Sequence, residues 1–297
     1  MTKRKTLIDT PTKNQSSKKT AVAVDSNLTS TDKGVTEGET PEADEKPRGI
    51  CIVIPFLESA AKADELRYAI RAWEKNLPNV EIILIGDKPA WASDNVLHIP
   101  HKPNQSNPQV DVAQKLLLAC ESDLVSDYFI VSNDDIYPVC PISLTYLDLP
   151  TANGPLGQKG TAGGTYRKNS DRTLSALKKA GIAKPWDYGT HTPTGFWKSE
   201  LREVIQQFSA DKEGYLISTL YGNLVWSGIR PIIVDNGEKP NHEGTRTYVG
   251  SAYKVIAPGV MQKAFDERVF INSNDHGWTS VLPFLKKQFP DKSKFEN

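Results

Sequence analysis

The stretch Tyr128-Phe129-Ile130-Val131-Ser132-Asn133-Asp134-Asp135 places a short apolar run directly before an Asn-Asp-Asp tripeptide. Apolar runs of this length are typical of buried parallel strands, and two similar runs precede it at Ile50–Phe56 and Val80–Ile85. Apolar residues at helical spacing separate the runs, at residues 63–76 and 111–122. This alternation predicts an α/β fold with a mixed, mostly parallel, Rossmann-like sheet covered by helices on both faces. The tripeptide then lies at the carboxyl end of a strand, where such sheets bind ligands.

The remainder of the chain divides by composition. Residues 1–48 are polar and lack apolar periodicity, which predicts a disordered tail ahead of a single α/β domain at residues 49–297. A Gly-rich segment near residues 151–190 is interpreted either as a flexible flap over a ligand or as a plain surface loop. Further elements are predicted as a strand at 95–99, helices at 199–208 and 215–226, a strand at 230–234 followed by a polar loop to about 247, and a helix at 279–288.

Composition excludes several classes of protein. Lysine plus arginine and aspartate plus glutamate both total 36 of 297 residues, so the chain lacks the basic excess of a nucleic-acid-binding protein. No apolar run approaches the roughly 20 residues that cross a bilayer, although peripheral membrane contact stays open. The three cysteines, Cys51, Cys120 and Cys140, are widely spaced and flanked by apolar residues. We therefore expect buried free thiols and a cytoplasmic location.

The adjacent carboxylates Asp134 and Asp135 are costly to hold together unless a cation or a shared proton neutralises them. A divalent cation that bridges a diphosphate would meet that need, because Mg²⁺ prefers carboxylate and phosphate oxygens. The alternative is a turn in which Asn133 and Asp134 cap backbone amides. Both interpretations are open on the tripeptide alone.

Two other polar positions are candidates for chemistry. His191, in the loop Gly189-Thr190-His191-Thr192-Pro193, titrates in the range of a general acid or base, or is an ordinary surface histidine. Asp275 lies between Asn274 and the predicted helix at 279–288. It presents a carboxylate to a site, or it belongs to a helix-entry turn.

Five segments, taken in order, resemble a known family. They are Glu65–Asn76, Tyr128–Asp135, His191-Thr192-Pro193, Phe270–Asp275 and Phe289–Glu296, the last matching a family signature written FPxpSxFE. Together they resemble the Stealth-type sugar-phosphate transferases. These include bacterial capsular polysaccharide phosphotransferases and the catalytic part of N-acetylglucosamine-1-phosphotransferase.

The resemblance implies a nucleotide-sugar-binding sheet related to the GT-A fold. It also implies transfer of a sugar-1-phosphate from a nucleotide-sugar donor to the hydroxyl of a glycan acceptor, in surface or capsular polysaccharide synthesis, with Mg²⁺ or Mn²⁺. The site residues that it assigns are His191 and Asp275 for catalysis, Arg71, Asn133 and Asn274 for donor or phosphate binding, and Asp134 and Asp135 for the metal.

The chain departs from the family in two places. The acidic motif of the family's first region is replaced by Ile52–Ser59, where only Glu58 offers a carboxylate. An arginine that the family has about thirty residues after the His-x-Pro is missing from Tyr215–Tyr221. Loss of a bidentate phosphate contact weakens binding or transition-state stabilisation. Two alternatives follow: a GT-A-type glycosyltransferase, and a degenerate, non-catalytic glycan-binding relative.

Overall fold

The computed structural model describes residues 49–61, 63–104, 106–157, 163–234, 255–273 and 275–297. The secondary structure within these ranges is, in chain order, β1 (Ile50–Phe56), α1 (Glu65–Asn76), β2 (Val80–Gly86), β3 (Leu97–Pro100), α2 (Pro108–Glu121), β4 (Tyr128–Val131), β5 (Ile136–Pro138), α3 (Leu144–Leu147), β6 (Thr151–Ala152), α4 (Gly164–Lys179), β7 (Thr194–Trp197), α5 (Lys198–Phe208), α6 (Ile217–Val225), β8 (Ile232–Ile233), α7 (Pro258–Glu267), β9 (Phe270–Asn272) and α8 (Trp278–Gln288). The predicted tail at 1–48, the predicted polar loop from residue 235 to about 247, and Asn274 lie outside the described residues.

A five-stranded sheet with the order β3-β2-β1-β4-β7 forms the centre of the fold. Strand β1 is parallel to both neighbours, with Ile52 opposite Ile82 of β2 and Ile130 of β4. Strand β3 is parallel to β2, whereas β7 is antiparallel to β4. The prediction of a mixed, mostly parallel sheet is therefore confirmed. Two small sheets pair β5 with β9 and β6 with β8.

Helices cover both faces of this sheet. Cys51 and Val53 of β1 point to one face and belong to a core shared with α2, α5 and α6. Their neighbours Ile52 and Ile54 point to the other face and pack with α1. All four side chains are fully buried, which explains why β1 is continuously apolar instead of alternating with polar residues. No helix in the described ranges has the length and apolar character needed to span a membrane.

The strand order creates a crevice between β1 and β4. From β1 the chain adds β2 and then β3 on one side, and it next adds β4 on the opposite side of β1. Such a reversal leaves a gap between the connections at the carboxyl ends of the two strands, which is where α/β sheets bind ligands. The loop after Phe56 and the tripeptide Asn133-Asp134-Asp135 both start at this gap.

The segment near residues 151–190 contains more regular structure than either predicted interpretation allowed. Its described part includes β6 and the 16-residue helix α4. The buried face of α4 is mostly polar: Asn169 exchanges amide hydrogen bonds of 3.0 and 3.2 Å with Asn107, and Thr173 accepts a 3.0 Å hydrogen bond from the Leu216 amide. A helix whose buried positions are polar has no apolar periodicity, so the sequence pattern did not indicate it.

Candidate active site

Two adjoining cavities lie at the crevice. The first, of about 500 Å³, is named the acidic cavity because Glu65, Asp134, Asp135 and Asp275 line it. The second, of about 250 Å³, is named the histidine cavity after His191. The two share Pro55 and Val112 as a common wall. The predicted residues Asp134, Asp135, Asp275, Asn133 and His191 thus line two neighbouring cavities, with Asn133 on the histidine side.

A short strand pair brings the acidic residues together. Strand β5 begins directly after Asp135 and pairs antiparallel with β9, so that Ile136 lies opposite Asn272. The Ser273 amide donates a 3.3 Å hydrogen bond to the Asp135 carbonyl oxygen. Because Asp275 follows two residues later, its carboxylate reaches the same cavity although 140 residues separate it from Asp135. The sequence left Asp275 either in a helix-entry turn or as a carboxylate presented to a site, and it did not predict β5 or β9.

The acidic cavity holds its carboxyl groups in an unfavourable environment for charge. Burial raises the pKa of Asp134 to about 6. Burial raises the pKa of Asp135 to about 8, with a further contribution from the Asp134 carboxylate. Burial also raises the pKa of Glu65. Asp135 Oδ1 and Glu65 Oε2 are buried, and neither has a hydrogen-bond partner within the part of the chain that the structure describes. Unsatisfied buried oxygens of this kind indicate a group that neutralises them.

The donor chemistry of this cavity fits a divalent cation. Mg²⁺ is commonly held by one or two carboxylates, with substrate phosphates and waters completing the octahedron. Asp134 and Asp135 offer such a pair. Among the described residues, no cluster of three or more His, Cys, Asp or Glu side chains has the arrangement of a complete metal site. A pair of carboxylates leaves the other coordination positions of such a cation to oxygens of a phosphate or of water.

A buried lysine, which sequence reading missed, lies in the wall of the acidic cavity. Lys115 is 2% exposed, and its Nζ donates to Asp111 Oδ2 at 2.8 Å and to the Phe56 carbonyl oxygen at 3.1 Å. His101 Nε2 lies 3.0 Å from the other Asp111 oxygen. Lys115 occupies a position on the apolar face of α2, next to Leu116. The sequence signal for this site was a lysine on the apolar face of a helix. A lysine is rarely buried without a partner, so such a position indicates a charged partner nearby.

The backbone of His191 is fixed by its conformation and by a hydrogen bond. Its φ of 47° lies in the left-handed region, and its carbonyl oxygen accepts a 2.9 Å hydrogen bond from Asn272 Nδ2. Asn272 belongs to β9, so the strand that carries the chain to Asp275 also fixes the histidine loop. The residue is exposed at the mouth of its cavity, yet desolvation by the surrounding protein lowers the pKa of His191, and Asp187 opposes this effect. An imidazole that is neutral near pH 7 can accept a proton.

Arg71, predicted to contact phosphate, lies outside both cavities. Its Nε is 2.5 Å from Glu296 Oε1, its Nη2 donates to Glu296 Oε2 at 2.8 Å, and its Nη1 donates to the Phe289 carbonyl oxygen at 3.3 Å. The Arg71 and Glu296 side chains are 10% and 1% exposed. All three nitrogens of the guanidinium are thus used within the fold. The structure does not bring Arg71 to Asp134, and Asn274 is not among the described residues.

The partner of Arg71 belongs to a segment that we name the C-terminal clasp, residues 289–297. Phe295 is 2% exposed in the core formed by α1 and β2. The Phe295 carbonyl oxygen accepts a 2.9 Å hydrogen bond from the Ser93 amide. The two segments that carry the resemblance most specifically, Glu65–Asn76 and Phe289–Glu296, therefore meet in one structural unit. Their contact indicates that both segments have a role in packing.

A comparison with known proteins agrees with the resemblance. Over 199 residues the chain is 27% identical to an exopolysaccharide phosphotransferase of Nocardia farcinica. The chain is similar to an exopolysaccharide phosphotransferase. This confirms the resemblance predicted from the sequence. The match covers 60% of this chain and 36% of the relative, so the chain spans about a third of the relative's length. No family model matches the chain.

Solved structures with related folds are more distant. A galactosyltransferase, LgtC, solved with donor and acceptor sugar analogues, is 12% identical with a TM-score of 0.43, covering 82% of this chain and 98% of its own. A 4-diphosphocytidyl-2C-methyl-D-erythritol synthase from Anaerococcus prevotii is 10% identical with a TM-score of 0.34, covering 63% of this chain and 86% of its own. TM-scores below 0.5 identify neither substrate nor reaction.

Proposed function

We propose that the protein transfers a sugar-1-phosphate from a nucleotide-sugar to a glycan hydroxyl with the help of a divalent cation, in synthesis of a surface or capsular polysaccharide. One observation carries the proposal: carboxylates from two separate segments, Asp134-Asp135 and Asp275, line the acidic cavity, which shares a wall with the cavity of His191. The similarity to an exopolysaccharide phosphotransferase supports the same reaction. The acidic cavity and the histidine cavity lie side by side, an arrangement that suits a reaction between two substrates.

The acidic cavity is the proposed donor site. Its outer wall contains apolar residues, among them Leu57 and Pro103, that suit a nucleoside. Its inner wall contains Lys115 and the Asp134-Asp135 pair, which suit a diphosphate and its cation. Asp134 and Asp135 would hold Mg²⁺ or Mn²⁺, which when bound supplies charge stabilisation for the diphosphate and for the nucleotide leaving group. Lys115, which pairs with Asp111, is the proposed protein cation on the donor side.

The histidine cavity is the proposed acceptor site. The neutral imidazole of His191 accepts the proton of the acceptor hydroxyl. The hydroxyl oxygen then bonds to the phosphorus that carries the sugar, and the bond from that phosphorus to the oxygen of the nucleoside monophosphate breaks. The products are a phosphodiester-linked glycan and a nucleoside monophosphate. Asp275 faces the donor side and is the further carboxylate proposed to orient the donor sugar.

The test is nucleotide release from a panel of nucleotide-sugars, with Mg²⁺, with Mn²⁺ or with EDTA. The proteins compared are the wild type, His191→Asn, Asp134→Asn and the control Asp291→Asn, whose side chain is exposed on the clasp. We expect cation-dependent release of a nucleoside monophosphate, reduced about 100-fold or more in the two cavity variants and unchanged in the control.

Other outcomes would assign the protein to a different functional class. Release of a nucleoside diphosphate would mean that the anomeric carbon–oxygen bond breaks, as in a glycosyltransferase. Donor binding without release, over a range of acceptors, would indicate the degenerate glycan-binding relative. Absence of both binding and release would remove the proposal.

A further inference from the structure

A third cavity lies beside the histidine cavity. It measures about 290 Å³, and we name it the aromatic-basic cavity because Trp186, Tyr188, Trp226, Lys184 and Arg230 line it. Tyr188 also lines the histidine cavity, so the two cavities share one residue of their walls. The volume is close to the lower end of the range for small-ligand sites, about 300–1,000 Å³. A single sugar residue fits a space of this size.

The aromatic side chains of this cavity are fixed in place. Asn223 clamps the backbone of Trp186, with its Nδ2 donating to the Trp186 carbonyl oxygen and its Oδ1 accepting from the Trp186 amide, both at 2.8 Å. The ring of Tyr188 meets the ring of Trp226 edge-on at 5.4 Å between centroids. A Cβ on Gly222 would lie 2.6 Å from the Tyr188 ring, so a glycine is required where the ring lies on α6. The cavity is therefore part of the packed structure.

The charge of this cavity is opposite to that of the acidic cavity. Lys184 and Arg230 are exposed, and neither forms an ion pair with a carboxylate of the described residues. Among the described residues that line the cavity, none is an aspartate or glutamate. Two cations next to aromatic faces attract an anion that also has an apolar surface. The apolar faces of pyranose rings pack on aromatic rings, and a sugar that carries phosphate supplies the anion.

We infer that the aromatic-basic cavity binds a phosphodiester-bearing sugar of the acceptor glycan, next to the sugar whose hydroxyl lies in the histidine cavity. The inference rests on the proposed function, because each transfer of a sugar-1-phosphate adds one phosphodiester to the growing chain. The cations would hold the phosphodiester of an earlier transfer, and Trp186 and Trp226 would hold its sugar. The protein then favours acceptors that it has already extended.

The test is direct binding, measured by isothermal titration and tryptophan fluorescence on His191→Asn protein, which removes the proposed base. The probes are a trimer of glucose joined by 1→6 phosphodiesters, neutral maltotriose of equal length, and inorganic pyrophosphate. The variants are Lys184→Gln combined with Arg230→Gln, and the matched control Lys179→Gln, an exposed lysine of α4 outside the cavity. Titrations without divalent cation keep the acidic cavity from contributing a bound phosphate.

We expect the phosphodiester trimer to bind at least tenfold more tightly than maltotriose, and the double variant to lose that difference while Lys179→Gln keeps it. Equal binding of the two trimers, or an unchanged affinity in the double variant, would overturn the inference. Pyrophosphate that competes fully with the trimer would show a free-anion site with no sugar recognition, which also overturns it. Failure of the proposed function appears separately, as a lack of nucleotide release by the wild type.

Discussion

At the scale of single residues, His191 combines a chemical role with an unusual backbone. Its φ of 47° is costly for most residues but is tolerated by asparagine and glycine. His191→Asn should therefore keep the melting temperature within about 1–2 °C while turnover falls by roughly 10²–10⁴-fold, because only the proton acceptor is lost. Thermal unfolding and nucleotide release measure the two effects.

His191→Val is the complementary variant. A β-branched residue in the left-handed region is expected to lower the free energy of unfolding by about 1–2 kcal/mol, beyond the loss of turnover. Equal stability of the Asn and Val variants would contradict a constrained backbone at this position. Full turnover in the Asn variant would remove His191 from the chemistry.

At the scale of elements, the C-terminal clasp is joined to α1 by ion pairs of Glu296, of which the more buried is with Arg71 and the other, at 3.3 Å, is with Arg67. Glu296→Ala leaves the Arg71 guanidinium buried without its carboxylate, so we expect a loss of about 3–5 kcal/mol in the free energy of unfolding. Arg71→Leu combined with Glu296→Leu removes both charges and should recover much of that loss. Urea unfolding measures all three proteins, with Asp291→Asn as the unchanged control. A small effect of Glu296→Ala would instead return Arg71 to the candidates for phosphate binding.

Helix α6 depends on a glycine at its contact with Tyr188. Gly222→Ala brings a methyl group to 2.6 Å from the tyrosine ring, which should destabilise the protein by about 1–3 kcal/mol. Gly259→Ala, in the first turn of α7, meets no atom within 4 Å and should be neutral or stabilising by up to about 1 kcal/mol. If the two substitutions have the same effect on the melting temperature, the described contact does not constrain α6.

The predictable elements are those whose apolar pattern reflects their burial. The predicted bounds are close to the observed ones for strands β1, β2 and β4 and helices α1, α5 and α8. Each of these helices buries one apolar face, and each of these strands is buried on both faces. Helix α4 was not predicted, because it buries the polar residues Asn169 and Thr173. Strand β7, which lies directly before α5, was not predicted either. Strands β5 and β9 have three residues each, too few for a periodicity to appear.

The candidate site was predictable in part for a similar reason. Asp134 and Asp135 follow a recognisable strand, so their position at the sheet edge followed from topology. The approach of Asp275 and His191 depends on the β5–β9 pair and on the hydrogen bond from Asn272, which are contacts between distant segments. Arg71 was assigned through resemblance alone, and a linear motif does not distinguish a residue that packs from one that binds.

At the scale of the whole molecule, the acidic cavity makes stability depend on pH. The raised pKa of Asp135, about 8, means that the folded protein keeps a proton that the unfolded chain has already released. The free energy of unfolding should therefore fall as pH rises from 6.5 to 8.5, by roughly 1–2 kcal/mol. Urea unfolding at the two pH values measures the change.

Two comparisons identify the source of this pH dependence. Asp135→Asn has no proton to lose, so its unfolding free energy should be nearly equal at pH 6.5 and 8.5. Mg²⁺ with a nucleoside diphosphate should raise the stability of the wild type at pH 8.5 more than that of Asp135→Asn, because the pair of carboxylates holds the cation. A wild type whose stability is constant over this range would contradict the assignment.

The contact between Arg71 and Glu296 also restricts how the protein can evolve. A lineage that changes either residue alone passes through a form with one buried charge, and selection against unstable proteins removes most such forms. Descendants therefore inherit both residues or replace both. The two segments that carry the resemblance, joined by residues 225 positions apart, then count as a single inherited character instead of two independent ones.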